Sequence, residues 1–168
     1  MTTRRAVDPT HRTFVSYIDK SRERYISLGY GNPYRWAHFD HVPFARLAKP
    51  MSDATVTLIT TAMPMPASAD DFIDRAVHSI PSDPPPVRLN TDGLFWDRNA
   101  THTDDLDSFF PVHRLQEIVH EHRIGRLARR LHCVPTEYSQ RNTLERDAPE
   151  IFSRCREDGA DAAILVPL

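Results

Sequence analysis

The side chains able to do nucleophilic or acid–base chemistry fall in a few places along this 168-residue chain. Thr60 and Thr61 close the run Ala54-Thr55-Val56-Thr57-Leu58-Ile59-Thr60-Thr61-Ala62. Hydroxyls at the carboxyl end of a strand can orient a substrate carboxylate, although the strand propensity of threonine accounts for the same pair without any function. In Thr101-His102-Thr103-Asp104-Asp105, a loop histidine beside carboxylates has the makings of a proton shuttle near neutral pH, with His102 and Asp105 as the acid–base pair. Asp104 or Asp105 can equally cap a turn. The same loop carries ligand-type atoms for a metal, but three close groups in a loop do not make a closed site.

Cys133 and Cys155 stand 22 positions apart, with no CxxC and no Cys/His ligand spacing. That pattern points to reduced thiols in a cytoplasm rather than a disulfide framework or a zinc site. Cys133 reads as a small buried residue of a short strand or as a resolving thiol; Cys155, amid Arg154, Arg156 and Glu157, reads as a surface or partly buried helix thiol. His113, His120 and His122 fall on one predicted helix, where a two-residue gap puts His120 and His122 on different faces and favours solvated surface over metal. His38 and His41 sit among aromatic residues as hydrogen-bonded spacers. Thr136 is the expected cap of a helix starting near Gln140.

The elements that must position these groups follow from apolar spacing. From His11 to Ser27, Phe14, Val15, Ile18, Tyr25 and Ile26 recur at helical intervals, and Gly29 ends the helix. Residues 30–50 are aromatic and turn-rich, an arm pinned by its rings. Residues 54–62 form a strand of central type. About 45 residues of proline-punctuated loop follow, with Val87-Arg88-Leu89 as a short edge strand and Leu94, Phe95, Trp96, Phe109 and Phe110 as buried anchors. A helix spans Pro111 to Leu127 and turns Leu115, Ile118, Val119 and Ile124 inward; His132-Cys133-Val134 is a short strand. A helix from Ala148 to Asp158, closed by Gly159, leads into Ala162-Ala163-Ile164-Leu165-Val166, a buried strand and the second half of a βαβ unit. In open α/β sheets, ligands sit just beyond the carboxyl ends of such strands.

At 40% hydrophobic and 26% charged residues, composition is that of an ordinary globular domain. A net charge of -2 gives no electrostatic footprint for nucleic acid, no apolar run spans a bilayer, and the amino terminus has no secretory signal. The fold class is α/β, a partial doubly wound, mostly parallel sheet with an N-terminal helical and aromatic arm: arm over residues 1–50, incomplete α/β domain over residues 51–168. Two strong strands, four in all, with little helical cover leave apolar faces open.

Several segments carry a resemblance. His41-Val42-Pro43-Phe44-Ala45-Arg46-Leu47 leading into Thr55 to Ala62, Phe110-Pro111-Val112-His113-Arg114-Leu115, Ile124-Gly125-Arg126-Leu127-Ala128, and Asp158-Gly159-Ala160-Asp161 with the terminal Ala162 to Leu168 resemble the selenoprotein B family of glycine, sarcosine and betaine reductases, with the related D-proline reductase subunit. The likeness spans roughly residues 40 to 168. In that family the strand resembling Ala162 to Pro167 runs into a U/C-x-x-C motif, so the resemblance implies a selenocysteine (or cysteine) nucleophile beyond Leu168, and a chain ending there is what an unread UGA codon produces. It implies attack by a selenolate on a carbon whose amine is activated by a pyruvoyl partner subunit, a dithiol (thioredoxin-like) electron donor, a small-molecule substrate, oligomeric assembly and a histidine followed by acidic residues near His102. The redox motif itself is absent from the sequence as written. The competing function is a non-catalytic binding or assembly subunit that completes its sheet against a partner.

Overall fold

Six consecutive β-branched or apolar residues are stable in a strand only if both faces are covered, and β1 (Thr55–Thr60) is buried at every position. The computed structural model describes residues 17–30, 37–42, 45–68, 75–94, 102–136 and 139–168. The chain forms two compact units, residues 1–42 and 43–168. Among the described residues no helix is long and apolar enough to cross a membrane.

The first unit contains α1 (Tyr17–Ser27). Gly29 takes φ +86°; its N–H reaches the Ile26 carbonyl, and the Tyr30 N–H reaches that of Tyr25, the paired bonds of a Schellman cap. The Tyr25 and Tyr30 rings meet edge to face at 5.8 Å, which supplies the apolar contact such caps favour. The predicted helix residues 11–16 and the arm residues Tyr34, Trp36 and Phe44 lie outside the described residues. In the described part of the arm beyond Tyr30, Phe39, Val42 and Leu47 are exposed.

The second unit places β1 at the centre of a five-stranded sheet with β2 (His78–Pro81), β3 (Arg126–Leu127), β4 (Arg130–Cys133) and β5 (Ala162–Val166). β3 and β4 run parallel to β1 along one edge, pairing Thr55 with Arg126 and Thr60 with Cys133, while β5 runs parallel along the other over five residue pairs. β2 is antiparallel to β4. The edge strand is therefore His78–Pro81 and not Val87-Arg88-Leu89, where Val87 is 88% exposed and only Asn90 makes a bridge, to Met63. Proline at three of the positions 84–86 denies that stretch the donors a ladder needs.

Helices cover both faces. α2 (Val112–His120) packs Val112 and Leu115 with Val56, Leu58, Leu131 and Phe110; full burial of Phe110 alone contributes about 1.5–3 kcal/mol. α2 ends seven residues before the predicted Leu127, because His122 adopts φ +58° and closes it with the same paired bonds, to Val119 and Ile118. A histidine in the left-handed region is uncommon, so no glycine marks this end. On the other face, α3 (Gln140–Asn142), a π turn (Thr143–Asp147) and α4 (Ala148–Glu157) run on continuously. Ser139, not Thr136, caps α3, accepting from the Asn142 N–H at 3.2 Å. Ile151 of α4 packs on Ile59 and Val77. Gly159, at φ +66°, closes α4 with a third Schellman cap. β5 is not the buried strand its composition implies: Leu165 is 71% and Ile164 38% exposed.

Gly125 is required for another reason. A Cβ there stands 2.7 Å from the Asp53 carbonyl carbon and 2.9 Å from the Ala54 oxygen, backbone atoms that cannot turn away. Gly125→Ala is expected to lower stability by about 1–3 kcal/mol through forced separation of β1 and β3, whereas His122→Gly, which relieves the left-handed residue, raises it. Urea unfolding midpoints of the two variants read this directly; an unchanged midpoint for Gly125→Ala contradicts the close approach.

Candidate functional site

Three parallel strands end in one row, because Thr60 pairs with Cys133 of β4 on one side and with Val166 of β5 on the other. Thr60 is buried, and its hydroxyl accepts the Ala62 N–H at 3.2 Å. The Thr61 hydroxyl accepts the Leu168 N–H at 2.8 Å and donates to the Leu168 carbonyl at 3.2 Å. Both threonines thus stand beside the end of β5, with their hydroxyls turned to backbone. Thr61 clamps the residue that leaves the strand.

The His102 loop is tied to the same end. Met63 and Asn90 exchange backbone hydrogen bonds just after β1, and the Thr91 and Thr103 hydroxyls meet at 3.0 Å. His102 is exposed; its Nδ1 accepts the Asp104 N–H at 3.4 Å and lies 3.7 Å from the Asp104 carboxylate. The Asp105 carboxylate accepts the Asp107 N–H at 3.1 Å and caps the 3₁₀ turn Leu106–Ser108. Local capping is what Asp does most readily before a turn. The structure brings His102 together with Asp104 rather than with Asp105.

A second imidazole–carboxylate pair lies where α2 begins. Asp107 accepts the His113 Nδ1–H at 2.7 Å and the backbone N–H groups of His113 and Arg114 at 3.0 and 3.4 Å. Pro111 offers no side-chain cap, so Asp107 satisfies the free donors of the first turn and orients the His113 ring, leaving Nε2 as its free nitrogen. Because α2 leads into β3 at the amino edge of the sheet, its first turn lies toward the carboxyl edge. An acidic residue just ahead of a proline-initiated helix is a capping signal that pointed to Asp107 in the sequence.

The layer under α4 is charged. Asp158, its side chain fully enclosed, accepts from Arg129 Nε and Arg130 Nε, both at 2.8 Å, and Arg130 also reaches Glu157 at 2.9 Å. Burial pushes the Asp158 carboxyl up, but the hydrogen bonds from Arg130 and Arg129 outweigh it and hold the group below the usual carboxylate range. Glu157 is lowered by its hydrogen bond from Arg130, and Asp161 by the Thr55 N–H and Lys49. His132 is fully buried; its Nδ1 and Ser79 Oγ share a hydrogen bond at 3.0 Å, and Ser79 Oγ accepts from Arg154 at 2.8 Å. Burial, then the charge of Arg130, pushes the imidazole down, so the ring is neutral.

Neither thiol is activated. Burial pushes Cys133 up to about 12 and raises Cys155, and both are free. Among the described residues no group of His, Cys, Asp and Glu is arranged to hold a metal ion. A surface cleft lined by Ser82, Asp83, Gln116, Val119, His120 and Leu127 lies at the opposite, amino edge of the sheet. No family model, curated protein or solved structure matches this chain.

The paired carboxylates set the acid response. Groups held below their ordinary pKa contribute stability that is complete above about pH 5.5 and is lost as pH falls through the unfolded and then the folded values; His132, buried neutral, adds a loss that begins below about pH 6.5. Melting temperature is expected to decline gently from pH 6.5 and steeply below pH 4. Asp158→Asn should cost about 1.5–3 kcal/mol at pH 7 and flatten the lower limb, as read by thermal melts at each pH. A variant with the native acid profile removes Asp158 as its source.

Proposed function

We propose that this chain is the amino-terminal part of a cytoplasmic reductase subunit of the selenoprotein B type, acting on a small substrate with a carbon–heteroatom bond. The observation that carries this reading is the parallel register of β5 on β1. Thr60, Thr61, Val166 and Leu168 stand together at the carboxyl edge, where open α/β sheets hold ligands, with the His102 loop tethered there. A selenol or thiol in the segment following Leu168 would emerge at that edge, clamped by Thr61.

The chemistry this implies is reductive cleavage. The selenolate attacks the carbon bearing an amine that a pyruvoyl group on a partner subunit activates, forming a carbon–selenium bond as the nitrogen leaves. A dithiol donor then cleaves that bond: the carbon takes a proton and the electron pair, the selenol is restored, and the donor becomes a disulfide. His102, exposed and beside Asp104, supplies the proton to the leaving nitrogen. The raised Cys133 and Cys155 fit this reading, since neither is ionised enough to serve as nucleophile.

A second reading is favoured by one observation of its own. Among the described residues β5 pairs with β1 alone, Leu165 and Ile164 are exposed and the strand carries no charged side chain, which suits an assembly subunit that adds a partner's strand. Size-exclusion chromatography of the 168-residue chain tests it: concentration-dependent association that Leu165→Lys abolishes supports strand addition, and a monomer at all concentrations opposes it.

The reductase reading is tested by sequencing the codon after Leu168 and expressing the chain extended through it. A UGA or cysteine motif in frame is expected, and the added nucleophile should alkylate far faster than Cys133, whose thiol burial pushes up to about 12. His102→Ala in the extended protein should lower turnover without moving the melting temperature. Labelling at Cys133 that equals or outpaces the added position overturns the mechanism.

A further inference from the structure

Two Asp–Gly dipeptides occur in the chain, Asp92-Gly93 and Asp158-Gly159. In such a pair the aspartate carboxyl can react with the backbone nitrogen that follows it, because glycine has no side chain to block the approach or the peptide rotation it requires. The two glycines are alike. φ is +129° at Gly93 and +66° at Gly159, and no atom stands within 4 Å of where a Cβ would sit at either. The difference lies in the aspartates.

Asp158 is caged. Its side chain is fully enclosed, and its two oxygens are held at 2.8 Å by Arg129 Nε and Arg130 Nε, bonds that keep the carboxyl ionised and so deprive it of a leaving hydroxyl. The Gly159 N–H is engaged by the Arg156 carbonyl at 3.1 Å. Asp92 is exposed, in a turn closed by the Leu94 N–H on the Thr91 carbonyl at 3.2 Å, and its own N–H donates to Asn90 Oδ1 at 2.8 Å. Among the described residues no group donates to its carboxylate.

We infer that Asp92-Gly93 is a site of self-modification, isomerising to isoaspartate in the folded protein and releasing the His102 loop from the end of β1. The Gly93 nitrogen attacks Cγ of the protonated Asp92 carboxyl; a carbon–nitrogen bond forms, and the hydroxyl leaves with the amide proton as water. Water then adds to the ring at the Asp92 main-chain carbonyl and breaks its bond to nitrogen, so the chain continues through Cγ and the carboxylate stands on Cα. Nothing is oxidised or reduced. The main chain gains one carbon, about 1.5 Å of length. It gains it between fixed points: Asn90 exchanges hydrogen bonds with Met63 at 2.7 and 3.0 Å, and Leu94 packs on the core. The Thr91 and Thr103 hydroxyls meet at 3.0 Å, already at the long end of the range for such a pair, so theirs is the contact that gives way.

The test incubates the full chain at neutral pH in heavy-oxygen water, because each cyclisation and reopening exchanges a carboxyl oxygen for one from solvent. Mass spectrometry of the digest is expected to show label at Asp92 about tenfold or more faster than at Asp158, which reacts only from a locally opened state. The labelled peptide should resist an aspartate-directed protease at position 92, and the amide signals of Thr91 and Thr103 should move in the aged protein while those of β1 stay. Asp92→Glu, which would have to close a larger and slower-forming ring, should lose both the label and the shifts. Equal labelling at the two aspartates, or none at Asp92, overturns the inference. Labelling at Asp92 with Thr103 unmoved overturns the release of the His102 loop.

Discussion

Everything in the second unit hangs on the need to satisfy the backbone of β1. A strand buried on both faces has no water for its N–H and C=O groups, so strands must flank it on both edges. The carbonyls of Ala54, Val56 and Thr60 accept from Arg126, Ala128 and Val134, while that of Thr55 accepts from Asp161 on the other side. One edge is supplied by two short strands broken at Ala128-Arg129 and the other by β5. The break places Arg129 and Arg130 side by side at the amino edge, where both reach Asp158.

The two faces of the sheet are built on different principles. Toward α2, Val56, Leu58, Leu131 and Phe110 make an apolar layer that needs only shape and volume. Toward α4, Thr57, His132, Ser79, Arg130, Arg154 and Asp158 make a polar layer in which nearly every group is matched. A matched polar interface sets the helix in one register, since a slide of one turn would strand Asp158 and both arginines.

The carboxyl edge of the sheet has an enclosed base. Thr60 and Cys133 are enclosed, and Thr61 holds the backbone of Leu168. Around them, His102 and His113 project from loop and helix start, each beside a carboxylate. Among the described residues β5 pairs with β1 alone.

How much of this was legible in the sequence divides along physical lines. β1, the glycine-closed helix before β5, and the parallel pairing of the two strands followed from local signals: β-branched runs, helical periodicity and the αL glycine. The placement of Thr60 and Thr61 beside the end of β5 followed from that pairing. Other features depended on contacts between residues far apart. α2 ends at His122, a left-handed residue that no propensity marks; β2 forms because β4 offers an edge to His78–Pro81; and Gly125 is needed for the approach of Asp53, not for a turn. The apolar residues of β5 resemble a buried strand, yet burial is a property of what covers a strand and not of its composition. Likewise Asp105 against Asp107 could be decided only in three dimensions, because whether a carboxylate caps a turn or holds an imidazole depends on which donors the fold brings within reach.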